Sequence, residues 1–364
     1  MYRKSITIFV TIILVFNFYQ SKILYAEETS DLNISGLAYN AYYYDFSKGS
    51  QDKNGFDLTR LYLTYKKNIA KDIGMRITTD IGRVSNDQEK QYYRLFLKYA
   101  YLEFKKPSWK VNLLAGLHYV PLLAFQENIW GYRSIGKMLT DLEHKQKSSD
   151  LGLKIHGQFP KDYGDYAFSI VNGEGYNQPE IGKHKGLYGR ITLKPFPNHI
   201  SGLRLTGFAS QIQHDSDSST TLMTLFTSYE SKRLTTGAEI STGFEKNNSQ
   251  ITDYQGYSFF NNLKINNKWT LISRVDWFDP DRKINNNAHF REILGIGYWI
   301  KNNVEIVIDY QGVQYKNESI NKDSNILFTR MQVKVCALTS IMHTSLIFLA
   351  IIHSVFYFSG LINY

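Results

Sequence analysis

The stretch WTLISRVDW (269–277) decides the fold. Trp269, Leu271, Ser273, Val275 and Trp277 share one face of an extended chain, with a tryptophan at each end. Thr270, Ile272, Arg274 and Asp276 share the other, since successive strand side chains point to opposite faces. An apolar face capped by aromatics, backed by a polar face carrying charge, suits a strand standing between lipid and water. The segment VEIVIDYQ (304–311) repeats the pattern: Val304, Ile306, Ile308 and Tyr310 oppose Glu305, Val307, Asp309 and Gln311. A secreted β-sandwich or lectin is the competing architecture, but it needs no lipid-matched face on strand after strand.

Working outward, sixteen such stretches lie near 33–45, 56–67, 73–83, 91–105, 109–119, 149–158, 163–171 and 186–195, then near 201–212, 219–230, 233–243, 254–264, 267–277, 288–299, 302–313 and 324–335. The gaps between them alternate. KKPSW (105–109) and ESKR (230–233) are short and polar, whereas HDSDSS (214–219) and EKNNSQITD (245–253) are longer. That rhythm predicts an all-β transmembrane antiparallel barrel of 16 strands, with tight turns at the periplasmic rim and longer loops outside. Composition agrees: 27 Tyr and 22 Phe furnish aromatic girdles, while 7 Pro are few enough to stay out of strand interiors. The slightly negative mean hydropathy, -0.33, fits a barrel, in which only alternate residues meet lipid.

Residues 1–26 read as a signal peptide. Arg3 and Lys4 precede the apolar run ITIFVTIILVF (6–16), and Ala26 ends it before Glu27 and Glu28. An uncleaved anchor is the alternative, disfavoured by the short apolar core. Removing Arg3, Lys4 and Lys22 takes the net charge from +9 to +6. Export suits a chain whose one cysteine, Cys336, allows no disulfide framework. The barrel domain is then 27–335, in a bacterial outer membrane. Residues 336–364 form an apolar tail containing LIFLAIIHSVFYF (346–358). So apolar a segment would arrest export. A frameshifted or read-through end is the favoured reading, with an appended segment, or one removed or packed on the barrel, as alternatives.

Parity assigns direction, because Lys or Arg facing lipid at mid-membrane costs ~2–4 kcal/mol. Met75, Ile77 and Ile81 face lipid, so Arg76, Thr78 and Asp80 face the lumen. Tyr93, Leu95, Leu97 and Tyr99 face out, which leaves Arg94 and Lys98 inside. The same logic makes Arg60, Lys110, Lys154, Arg190, Arg204, Arg274, Arg291, Arg330 and Lys334 luminal, against the fewer acids Asp80, Asp165, Glu239, Asp276, Glu305 and Asp309. A basic wall enriches anions. The alternative is mutual pairing with weak selectivity, with Arg274–Asp276 and Arg76–Asp80 close enough to contribute.

The third external connection, VPLLAFQENIWGYRSIGKMLTDLEHKQKS (120–148), is too long for a plain loop and too apolar for disorder. It is expected to fold into the lumen, with Leu122, Phe125, Ile129 and Trp130 on the wall. Glu127, Arg133, Lys137, Asp141, Glu143, His144, Lys145 and Lys147 would then meet solute. An outward cap or trimer latch is the alternative. No enzyme, cofactor or metal site is expected: His118, His156 and His289 lack a nucleophile in a recognisable pattern. The spacing of Asp215, Asp217, Asp279 and Asp281 matches no calcium loop. NGEGY (172–176) lacks the following helix of a phosphate cradle.

GFDLTRLYLTYKKNI (55–69), GMRITTDIG (74–82), IWGYR (129–133), KMLTDLEHKQKSSDLGLKIHG (137–157) and DYAFSIVNGEGY (165–176) resemble the phosphate-selective porin O/P family of outer-membrane channels. The similarity covers most of 33–335 and its motifs mark the fold more than the substrate. It implies a 16-stranded, commonly homotrimeric anion porin whose third loop folds inward. The family's ladder of arginines and lysines has no residue-by-residue match here, and some relatives are general or organic-acid porins. The expected function is passive diffusion of small anions, with phosphate as a candidate. The competing class is a non-transport barrel with a structural or surface-recognition role and a blocked lumen.

Overall fold

The computed structural model describes residues 32–85, 91–106, 108, 110–176, 178–180, 183–317 and 322–338. The signal segment 1–26 and tail residues 339–364 lie outside the described residues.

Among the described residues, sixteen strands form one closed sheet. The first eight are β1 (Asn33–Asp45), β2 (Asn54–Ala70), β3 (Ile73–Ser85), β4 (Gln91–Lys106), β5 (Val111–Tyr119), β6 (Ser149–Gln158), β7 (Gly164–Val171) and β8 (Gly186–Leu193). The rest are β9 (Leu203–Gln213), β10 (Ser218–Glu230), β11 (Leu234–Asn247), β12 (Gln250–Lys264), β13 (Trp269–Asp279), β14 (His289–Lys301), β15 (Val304–Tyr315) and β16 (Ser324–Leu338). Each pairs antiparallel with its sequence neighbours, and β1 also pairs with β16, so the sheet closes without a free edge. Closure satisfies every strand's backbone groups within the wall, as a strand structure in hydrocarbon requires. Asn33 pairs with Leu338 at what we term the lower rim, so β16 runs on past Val335. The connection 120–148 rises from the opposite, upper rim.

Alternation holds along most strands. On β13 the even-numbered Thr270, Ile272, Arg274 and Asp276 are buried within, whereas Trp269, Leu271 and Val275 are exposed on the outside. Leu95 is 65% exposed and Leu225 66%, an outer apolar face of the kind that meets lipid. Aromatic pairs flank this outer band, with Trp269 and Tyr298 rings 4.5 Å apart and Tyr257 and Trp277 rings 5.4 Å apart at the other end of β13.

Three expectations need correction. The connection 245–253 is a two-residue turn, because β11 and β12 pair out to Asn247 and Gln250. Asn248 occupies the left-handed region there (φ 54°), which asparagine tolerates better than most residues. Lys110 is no wall residue: β5 begins at Val111, and Lys110 is an exposed lower-rim turn residue with φ 52°. Tyr99 faces the lumen. A β-bulge at Lys98 makes Thr78 pair with Tyr99 and Thr79 with Leu97, so parity flips after Leu97.

Candidate pore and constriction

The segment after β5 folds down against the inner wall. Pro121 opens α1 (Pro121–Trp130), where its missing N–H costs nothing. Gly131, with φ 72°, closes it by donating its N–H to the Glu127 carbonyl at 2.9 Å. Leu122, Leu123, Ile129 and Trp130 are buried in one cluster with wall residues Tyr188, Phe226, Phe260 and Ile272. Phe125 packs at its edge, its ring 6.2 Å from that of Phe226. Apolar residues on the inner face of β7 to β15 would be out of place in an open water channel. They are there because the loop covers them.

Polar contacts then fix the loop's course. Wall side chains donate to its backbone carbonyls in sequence: Asn262 Nδ2 to Trp130 (2.7 Å), Arg330 Nη1 to Ser134 (3.2 Å), Gln311 Nε2 to Ile135 (3.0 Å) and Arg274 Nη1 to Lys137 (2.6 Å). Irregular backbone needs such partners when buried. Gln126 Nε2 donates to Glu239 Oε2 at 2.8 Å. After the short α2 (Leu139–Leu142), Glu143 Oε1 lies 3.1 Å from His289 Nε2 and 3.0 Å from Arg291 Nη1. Burial pushes the Glu143 carboxyl up, but the hydrogen bonds and charges of His289 and Arg291 outweigh it, and its pKa falls below the ordinary carboxylate value.

The loop's other face carries Glu127, Arg133, Lys137 and Asp141 together. Arg133 Nε donates to Glu127 at 2.7 Å, and Lys137 Nζ to Asp141 at 3.1 Å. Burial works against the Arg133 charge, yet Glu127, Tyr62, Asp141 and Tyr39 more than offset it and raise its pKa. The loop face therefore approaches the inner face of β1 and β2, which carries Tyr39, Arg60 and Tyr62. Lys145, His144 and Lys147 stand apart from this group. Lys145 pairs with Glu245 at 2.9 Å and lies over the Tyr254 ring, while His144 and Lys147 are exposed toward the upper rim.

The expected basic wall divides into two sectors. From β7 to β16 its arginines hold carboxylates: Arg190 with Asp165, Arg204 with Glu230, Arg274 with Asp276 (2.8 Å), Arg291 with Glu143 and Asp276 (3.6 Å), and Arg330 with Asp309 (2.7 Å). From β2 to β6 the pattern differs. Arg60 takes Asp80, with Lys98 Nζ 3.9 Å from the same carboxylate. Arg76 therefore does not pair with Asp80 as its spacing implied; its Nε donates to Thr78 Oγ1 at 3.0 Å and its guanidinium lies 4.6 Å from the Tyr99 ring centroid. Lys154 donates to the Tyr119 carbonyl at 3.0 Å and sits over that tyrosine's ring. Arg94, paired across to Gly82 near the upper rim, is exposed.

The inward tyrosines of β1 to β5, Tyr39, Tyr62, Tyr99 and Tyr119, escape the sequence pattern, which assigns aromatics to lipid girdles. Only the Lys98 bulge reveals Tyr99, and no local pattern announces it. Below the loop, an open vestibule of about 1170 Å³ extends to the lower rim, lined by Trp130, Tyr132, Arg233, Lys264, Lys268 and Glu305 among others.

No family model matches the chain, and no curated protein matches it by sequence. Solved structures do. The anion-selective porin from Comamonas acidovorans superposes with a TM-score of 0.61 at 11% identity, covering 84% of this chain and 100% of that one. OmpF of Salmonella typhi, solved with daunomycin, gives 0.62 at 10% identity over 84% and 97%. OmpT of Vibrio cholerae in its trimer form gives 0.54 at 9% identity over 85% and 100%. These likenesses are of fold, and the chain is accordingly a closed 16-stranded barrel of the kind that bacterial outer-membrane porins adopt.

Proposed function

We propose that this chain is an outer-membrane porin that passes small anions by passive diffusion, its lower rim facing the periplasm. The carrying observation is the unequal wall: Arg76 seated on the Tyr99 ring and the Thr78 hydroxyl on one side, ion pairs beneath an inward-folded loop on the other. An ion pair contributes little net field at a distance, whereas an arginine on a neutral partner keeps its full charge. The loop face of Glu127, Arg133, Lys137 and Asp141 forms the constriction, opposite Arg60, Tyr39 and Tyr62. Residues 1–26 are removed on export, and the barrels associate as homotrimers, as the trimer form of the Vibrio OmpT barrel supports. The likeness to an anion-selective porin favours the same preference.

Planar-bilayer recording tests this. The refolded barrel is expected to conduct, with a reversal potential in a KCl gradient that shows chloride passing more readily than potassium. Absence of conductance would favour the non-transport barrel, and cation preference would remove the charge argument. Phosphate is the anion to compete first against chloride, followed by dicarboxylates.

A further inference from the structure

Inside the lower rim, between β2, β3 and β4, lies a recess of about 250 Å³ lined by Lys66, Arg76, Tyr101 and Lys105, with Glu103 as its acid. The register places these side chains on one inner face: Lys66 pairs across to Arg76, Arg76 to Tyr101 and Gly74 to Glu103. Gly74 borders the same space, with Asn68 Oδ1 and Lys105 Nζ 3.6 and 3.7 Å from where its Cβ would stand. Glu103 is already engaged, accepting from Asn112 Nδ2 at 3.0 Å and lying 3.6 Å from His156 Nε2. Lys105 Nζ donates to Asn68 at 3.4 Å, and Arg76 has no ion pair among the described residues. Three cations thus border a cavity with one acid, which lies close enough to Lys66 and Lys105 to offset part of their charge and leaves Arg76 as the cation without a carboxylate partner.

We propose that this recess is a binding site for a small oxyanion or carboxylate at the periplasmic exit of the lumen, with Arg76 as its principal ligand. The proposal rests on the porin reading, and deepens it by naming where a permeating anion dwells. Arg76 suits the role for three reasons. A guanidinium stays charged at any working pH and presents a planar fork that matches an oxyanion. Its Nε is held by Thr78, its face by Tyr99 and a further N–H by the Tyr101 hydroxyl, which orients the guanidinium without neutralising it. Tyr101 and the two lysines then supply further donors around the same space. A site this open releases what it captures, as conduction demands.

The test uses the refolded barrel in planar bilayers and, in parallel, in detergent titrated with inorganic phosphate. Wild type is expected to bind phosphate and to show its chloride current reduced by phosphate added on the lower-rim side. Arg76→Gln with Lys66→Gln should weaken binding and block about tenfold. It should also lower the chloride-to-potassium permeability ratio about two- to fourfold at low ionic strength, since a unit charge ~10 Å away acts oppositely on the two ions. Arg76→Lys, which keeps the charge, should retain the permeability ratio and lose part of the phosphate affinity. A double variant with wild-type titration and wild-type block overturns the site. A wild-type barrel that carries no current overturns the porin reading instead, and the titration alone then decides the recess: retained phosphate binding that the double variant loses upholds it, and no binding overturns it.

Discussion

Arg274 shows what one wall residue does here. Its side chain is 0% exposed and that of Asp276 1%. It binds Asp276 at 2.8 Å and the Lys137 carbonyl of the loop at 2.6 Å, so one guanidinium joins wall to loop. Removing it leaves a buried carboxylate whose remaining cation, Arg291, is 3.6 Å away. Breaking a buried pair from one side costs ~3–5 kcal/mol, whereas replacing both partners by apolar groups is near neutral. Arg274→Met should therefore destabilise the barrel by about that amount in urea unfolding from detergent, and Arg274→Met with Asp276→Leu should recover most of it. Equal destabilisation by both variants would show that the pair acts through the loop contact alone.

The element that matters most is the segment between β5 and β6. Its apolar face fills the inner wall, and its course is pinned by donors from Asn262, Gln311, Arg274 and Arg330. Asn262→Ala removes one neutral hydrogen bond to the loop, and Gln311→Ala removes one as well besides its bond to Asp309 on the wall; at about 1 kcal/mol for each loop bond, the loop should leave the wall roughly fivefold more often. Single-channel current should show this as added flicker at unchanged reversal potential. Glu143 adds a pH dependence. Its depressed pKa means that its anchoring contribution is complete above the ordinary carboxylate value and is lost as pH falls through the lower, folded value. Flicker should therefore rise as pH falls below the ordinary carboxylate range, and Glu143→Gln should flicker at neutral pH with little further change on acidification. A wild-type trace as quiet at low pH as at neutrality would count against the anchor.

At the scale of the whole barrel, inside and outside obey opposite rules. Leu225 on β10 faces out near the middle of its strand, and its neighbour Thr224 is buried within, 2.8 Å from Ser241. Leu225→Arg should cost ~2–4 kcal/mol in refolding into lipid vesicles, and much less in the absence of lipid, because only hydrocarbon penalises the charge there. The barrel itself was legible in the chain, since strand alternation is a local property that lipid on one side and water on the other impose on every strand. WTLISRVDW carries it complete, and so do the inward placements of Arg190, Arg274 and Arg330. Tyr99 and Lys110 were misread where that local rule lapses, at a bulge in β4 and at a turn before β5. Partnership was not legible at all. Arg76 and Asp80 lie four residues apart on one face, yet Asp80 bonds to Arg60, twenty residues away in sequence and one strand away in space. The sequence by itself determined which residues are strands and which way they point, because period and polarity are written along the chain. Only the tertiary structure decided which charges cancel, because neutralisation depends on what closure and the inward loop bring within a few ångströms.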